Sequence, residues 1–520
     1  MLSWTSLSQV CKHLGMTYYR MSRKRGDTYP YTFYSVNSDY ITQNNNLERK
    51  FVLVFSSVIF LFCFLPLVLM LYFSVPFKLK NTILLLFSLV FYAWGEPRYV
   101  VLMILSILIN YGYGIWIDKS ENHEKKRVWI LTFAIVVNIG LLGYFKYANF
   151  FVDVINAALQ TNLHLDPVPL PIGISFYTFH ALSYLIDIYR KKERAQRNLF
   201  SLALYITFFP QLVAGPIIRY NAVAEQLSKR VFSSIQFAEG IKRFILGLSK
   251  KALLANPLGS VADTVFATSA MDLSTGSAWI GIIAYTLQIY FDFSGYSDMA
   301  IGLGKMFGFE FAENFHYPYI SKSISEFWRR WHISLGSWFR DYVYIPLGGN
   351  KVAPWKIYRN LFIVWALTGF WHGASWTFIA WGAYYGILIA LEKAGLEKML
   401  SRIYPLNHVV VLLLVMIGWV FFRADNFGYA TEFIASMFYT RGNEIFDSLA
   451  LSLLSSNWFY FVIAMIVATP IYPKLQTLQL SKSMTKVQTV FGMLFNFFLF
   501  TEVILYLINS TYNPFLYFRF

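Results

Sequence analysis

The sequence predicts an all-α polytopic integral membrane protein of about ten to twelve transmembrane helices, with re-entrant or interfacial helices between them. Three observations predict it. The 520 residues are 57% hydrophobic and 14% charged, where a soluble domain averages about 25% charged. Phe, Tyr and Trp reach 19%. Apolar runs recur at about 20 residues, the length that spans a hydrocarbon core of about 30 Å. A soluble chain with so many such runs would have no polar surface left for water.

Taken in order, residues 1–52 come first as a polar N-terminal extension, with stretches such as "MSRKRGDTYPYTFYSVNSDY". They lack the apolar core of a signal peptide and read as a disordered tail or a misassigned start. From Val54 the character changes, and residues 53–520 form the transmembrane domain. The expected spans are 54–76, 80–95, 98–117, 128–147, 171–189, 199–217, 277–293, 358–371, 376–391, 406–422, 455–473 and 487–509. Between them "FAEGIKRFILGLSKKALLANPLG" is amphipathic and suits an interface or a re-entrant segment.

Loop charge orients the chain. Lys78 and Lys80, the four basic residues of "DKSENHEKKR" and the five of "RKKERAQR" fall on one side by parity. That side is cytoplasmic by the positive-inside rule. The 148–170 loop carries no Lys or Arg and belongs outside. The net charge of +16 follows from such loops; no nucleic-acid module is present. Cys11 and Cys63 give neither a disulfide framework nor a metal spacing, and no metal site is expected.

Two histidines stand out. Between Arg359 and Glu392 no side chain is charged. A straight helix through them would be about 49 Å long, too long for the hydrocarbon core, so it must break. The break is expected at "GFWHGAS", placing His372 deep in the membrane, where an ionisable residue points to function. The alternative is a neutral histidine bonded to a neighbouring helix. Gly369 and Gly373, and Gly382 and Gly386, have the four-residue spacing of closely packed helices. His332 lies in "SEFWRRWHISLGSWFRDY", where Trp328, His332, Leu335 and Phe339 fall on one helical face and Arg329, Arg330 and Arg340 on others. An interfacial helix with an incidental histidine has the same pattern. Asp292 and Asp298 in "YFDFSGYSDMAIGLG" need partners, an arginine of that helix or a helix cap; the glycines beside them suggest close packing. His180 reads as structural. The chain has no P-loop, no G-x-S-x-G elbow, no H-x4-D box and no H-E-x-x-H.

"LQIYFDFSGYSDMAIGLGKMFGFEFAENFHYPYISKSISEFWRRWHISLGSWFRDYVYIPLGGN" and "YRNLFIVWALTGFWHGASWTFIAWGAYYG" resemble the membrane-bound O-acyltransferase family, in its bacterial alginate O-acetylation branch. "LLGYFKYANF", "LPIGISFYTFHALSYLIDIYR" and "FPQLVAGPIIR" are similar to the same branch, whose core motifs here cover 288–350 and 358–386. The resemblance implies a many-helix fold around a central funnel. It also implies an O-acetyltransferase with two characteristic histidines, His332 and His372, the second catalytic. A neutral imidazole at His372 would act as general base, with His332 on the donor side. Arg329, Arg330 and Arg340 would hold the phosphates of an acetyl-CoA or phosphopantetheine thioester donor, with Trp328, Trp371, Asp292 and Asp298 around them and no bound cofactor. The resemblance further implies a bacterial inner-membrane location, periplasmic acetyltransferase partners and an exopolysaccharide acceptor, most simply alginate. Peptidoglycan or cellulose are alternatives; a transporter, a flippase or a scaffold of an export complex would be rivals of another class.

Overall fold

The computed structural model describes residues 53–440, 442, 444–471, 482–510 and 512–516, without the side chains of 482–488. The N-terminal extension lies outside the described residues, as do the last two residues of the span expected over 455–473. Among the described residues the architecture is helical, with no strand.

The first helices are α1 (Phe60–Ser74), α2 (Phe77–Gly95), α3 (Tyr99–Lys119), α4 (Glu124–Leu159) and α5 (Ile174–Tyr189). Then come α6 (Leu199–Thr207), α7 (Phe209–Leu212), α8 (Tyr220–Ser228), α9 (Ser234–Ser249), α10 (Asn256–Phe266) and α11 (Thr275–Met306). α12 (Ile324–Arg330), α13 (Ile333–Phe339), α14 (Pro354–His372) and α15 (Trp376–Leu391) carry the motifs. α16 (Glu397–Arg402), α17 (Leu406–Arg423), α18 (Phe427–Phe438), α19 (Ser448–Val467) and α20 (Lys482–Asn509) complete the chain.

Among the described residues six helices are long and apolar enough to cross a membrane: α2, α3, α4, α17, α19 and Thr489–Asn509 of α20. They expose large apolar side chains, Phe133 and Val136 on α4 among them, a surface that suits lipid and not water. The protein is a multi-pass membrane protein. The other expected crossings correspond to helices that are shorter, interrupted or enclosed by protein. The run expected at 199–217 is two pieces, because the chain leaves helical geometry at Phe208 (φ −51°, ψ 112°). Pro210 has no N–H to bond the carbonyl of Ile206, and its ring would crowd that oxygen; Ser88 Oγ takes the freed N–H of Phe209 at 3.1 Å.

α11 is the axis of the domain. Almost every residue along its 32 positions is buried, as in a helix enclosed on all sides by protein. The expected span at 277–293 is thus the first half of a longer internal helix. The amphipathic α9 packs along α11 through reciprocal glycine contacts. A Cβ on Gly295 would stand 2.7 Å from the Gly247 carbonyl, and one on Gly302 would stand 2.6 Å from that of Gly240. α14 and α15 meet the same way: a Cβ on Gly369 would lie 2.5 Å from the Phe378 carbonyl and 3.1 Å from Gly382 Cα.

Those contacts set a test. Gly295→Val overpacks a junction with no room and should cost about 1–3 kcal/mol, read as a lower melting temperature in detergent. Gly140→Ala, where a Cβ meets nothing within 4 Å, should leave it unchanged.

Candidate active site

The expected break in the 359–392 run is present: α14 ends at His372 and α15 begins at Trp376. Gly373 continues extended (φ −168°, ψ 156°), and a Cβ there would sit 2.1 Å from the Phe378 ring. The broken end leaves carbonyls without helical partners, each costing about 1–3 kcal/mol if buried and unpaired. Two consecutive residues of α4 satisfy three of them. Tyr147 Oη donates to the Phe370 carbonyl at 2.6 Å. Lys146 Nζ donates to those of Trp371 (2.5 Å) and His372 (3.3 Å). The Tyr147 ring stacks on Phe370 with centroids 3.9 Å apart. α4 therefore sets where His372 points.

The His372 ring lies among Trp371 (4.9 Å), Trp381 (4.9 Å) and Phe422 (5.2 Å). It is 5% exposed, and its Nδ1 is buried without a hydrogen-bond partner. It lines two cavities. One, of about 70 Å³, runs along Leu170–Phe176 past Lys146, Val213 and Trp371. The other, a narrow space of about 10 Å³, is walled by Phe293, Trp331, Trp381, Trp419 and Phe422. The imidazole thus stands in the wall between a polar-edged space and an aromatic one. Lys146 is 22 residues from Glu124, about 33 Å along the helix. The larger cavity, lined by Lys146 and by the first turn of α5, therefore lies away from the basic 119–127 and 190–197 loops.

The helix expected through Trp328, His332, Leu335 and Phe339 is also corrected. It breaks at Trp331 (φ −102°, ψ 130°) and His332, which is left-handed (φ 44°, ψ 52°). For a residue with a Cβ this costs about 1–2 kcal/mol. The segment 314–316 offsets it. His316 N donates to the Arg330 carbonyl (2.9 Å) and Ile333 N to that of Asn314 (3.0 Å). Asn314 Oδ1 accepts from Ser334 N (3.1 Å) and Ser334 Oγ (2.9 Å). Because a backbone N–H donates to it, that atom is the amide oxygen. His332 Nδ1, 3.2 Å away, is then the protonated nitrogen. The Nε2 lone pair is left free, and Nε2 is buried without a partner. The His332 ring meets Phe293 edge-on at 4.6 Å and lies 6.3 Å from Trp371. Trp371 therefore touches both histidines. Asn314 escaped the sequence reading because it sits 18 residues from His332 in no periodic pattern.

The other expected residues divide. Trp371 lines the larger cavity. Trp328 does not reach either cavity; it is wedged edge-on against Trp365, Trp381 and Tyr385. Asp292 and Asp298 are paired, but not with the named arginines. Asp292 meets Lys251 at 2.6 Å and accepts from Leu516 N at 2.9 Å. Asp298 meets Arg243 (2.6 Å) and Lys250 (2.7 Å). These pairs tie α11 to the α9–α10 segment and to the C-terminal residues, and neither acid lines either cavity. Arg330 is held by Glu326 at 2.8 Å and by His316. Arg340 is exposed and meets Asp341 at 2.7 Å. Arg329 is exposed, without an ion pair among the described residues. Asp341 also binds Arg219 (2.5 Å), and its carbonyl accepts from Arg190 (2.9 Å), so Arg340 sits at the basic-loop end. His180 is fully buried 5.5 Å from Tyr205, away from both cavities.

A sequence model of the membrane-bound O-acyltransferase family matches residues 176–424, a range that holds both histidines. A probable alginate O-acetylase, AlgI, of Azotobacter vinelandii is 49% identical over 392 residues, covering 74% of this chain and 78% of that protein. The chain belongs to the membrane-bound O-acyltransferase family. This O-acyltransferase is also similar to a peptidoglycan O-acetyltransferase of Helicobacter pylori, at 36% identity over 75% of this chain and 81% of that one. A teichoic acid D-alanyltransferase of Bacillus subtilis is 29% identical over 48% of this chain and 66% of that one.

The geometry around His332 yields a test. Asn314→Leu removes the acceptor that holds the Nδ1–H tautomer and should lower kcat by up to about 100-fold, the scale of a misplaced positioning group, with KM little changed. Asn314→Asp keeps an acceptor oxygen and should retain most of the rate. Steady-state kinetics on purified protein in nanodiscs decides.

Proposed function

We propose that this O-acyltransferase takes acetyl from a thioester such as acetyl-CoA or a phosphopantetheine carrier on the cytoplasmic side of a bacterial inner membrane. It passes the acetyl across for O-acetylation of alginate or an alginate-like exopolysaccharide, with periplasmic acetyltransferase partners completing delivery. The observation that carries the reading is His372 in the wall between two cavities, one aromatic and one polar-edged. An acyl thioester suits the aromatic side; a hydroxyl arriving through the larger cavity meets the same imidazole. The alginate assignment is supported by the likeness, at 47–49% identity, to probable alginate O-acetylases.

The chemistry follows from position. A dry site favours uncharged imidazole, which takes the hydroxyl proton as that oxygen attacks the thioester carbonyl carbon. A C–O bond forms, and the carbonyl π pair moves to its oxygen. Collapse of this intermediate breaks the C–S bond, and the imidazolium returns the proton to the departing thiolate. His332, with Nε2 free beside Phe293 and Trp371, orients the acyl group on the donor side. Arg340, at the basic-loop end with Arg190 and Arg219, is placed to meet a donor phosphate; exposed Arg329 is a second candidate, and Arg330 is committed to Glu326 and His316.

The deciding experiment is polymer O-acetylation in cells carrying His372→Ala or His332→Ala at matched membrane levels. His372→Ala should abolish acetylation, and His332→Ala should lower it at least tenfold. Unchanged acetylation in the first variant removes the base assignment.

A further inference from the structure

The proposed mechanism makes an oxygen anion and so far names nothing to receive it. The larger cavity holds a group the mechanism has not used. Lys146 has three N–H donors, and two go to the Trp371 and His372 carbonyls. No carboxylate lies within ion-pair reach of it among the described residues, and the titratable group beside it is His372. It faces the C-terminal end of α14, whose dipole favours a cation. The third N–H remains for the cavity that Lys146 and His372 both line.

Opposite stands the first turn of α5, where Gly173, Ile174, Ser175 and Phe176 line the same cavity. Gly173 enters with φ 76°, and a Cβ there would be 2.7 Å from the Leu212 carbonyl, so this backbone needs glycine. Ile174 N bonds the Pro171 carbonyl, and Phe176 N and Tyr177 N bond that of Gly173. Ser175 N–H has no such acceptor, and its side chain, 8% exposed, makes no hydrogen bond among the described residues. An ammonium, a free amide at the start of a 16-residue helix and an unpartnered imidazole therefore border one space, the setting for an anionic oxygen.

We infer that Lys146 and the Ser175 amide form the oxyanion pocket of the transfer: they receive the acyl carbonyl oxygen as it becomes anionic when the hydroxyl attacks. This rests on the acyl-transfer reading of the site. The oxygen gains the π pair of the C=O bond, and the ammonium hydrogen-bonds to it without giving up its proton; on collapse the pair re-forms the C=O bond as C–S breaks. Lys146 is then a catalytic residue as well as the cap that aims His372.

The test is thiol release from acetyl-CoA with a soluble polyuronate acceptor, on full-length protein in nanodiscs, across pH. Lys146→Met should lower kcat about 100- to 1000-fold, the range for loss of one oxyanion donor, with KM for the donor within about threefold. Lys146→Arg keeps the charge and donors, so it should recover to within about tenfold. Because guanidinium does not titrate in this range, it should also lose the alkaline limb of the pH profile. Lys146→Met with near wild-type kcat overturns the inference. So does Lys146→Arg with an unaltered alkaline limb, a readout that survives even if the Met variant fails to insert. His372→Ala in the same assay separates the two readings: transfer that persists without His372 but falls in Lys146→Met removes the base and keeps the oxyanion pocket.

Discussion

A helix that ends inside a membrane protein has to find partners for its last carbonyls, and the whole site depends on how α14 does so. Lipid cannot take them. Lys146 and Tyr147, adjacent on α4, take the carbonyls of Phe370, Trp371 and His372. Left without partners, these part-buried acceptors would each lose a hydrogen bond, about 0.5–1.5 kcal/mol apiece, against a net stability of about 5–15 kcal/mol for a domain. The break is therefore possible only where α4 passes. It puts an imidazole at the end of a rigid rod, free of the hydrogen bonds that would otherwise occupy its nitrogens.

The rod itself is held by close packing. Gly369 and Gly382 bring α14 and α15 to backbone contact, as Gly295 with Gly247 and Gly302 with Gly240 do for α9 and α11. Backbones this close leave little slack for side chains to shift. Asp292 and Asp298 then pin α11 to Lys251, Lys250 and Arg243. A buried pair contributes little net stability but is costly to break, so these acids fix register. With α11 set, Phe293 and His332 meet at 4.6 Å.

Much of this was legible in the sequence. The composition and the apolar runs required membrane helices, and the uncharged stretch from Arg359 to Glu392 required a break near His372. Glycine spacing indicated the close contacts. The helix through His332 was misread because its periodicity is local, whereas the break is imposed by residues 314–316, which hydrogen-bond across it. Arginines near His332 looked like partners for Asp292 and Asp298, yet the acids pair with α9 and the turn after it, which lie closer in space.

What the sequence by itself determined is the medium and its cost: where the chain must meet lipid, where a helix is too long to stay whole, and which ionisable residues sit where burial is expensive. These follow from the chemistry of single residues and their spacing. Only the tertiary structure decided which residues surround the His372 cavity, which tautomer Asn314 imposes on His332, and that Lys146 caps α14 at the edge of that cavity. Each of those depends on a donor meeting an acceptor from a segment 18 to 226 residues away, and no local pattern encodes that distance.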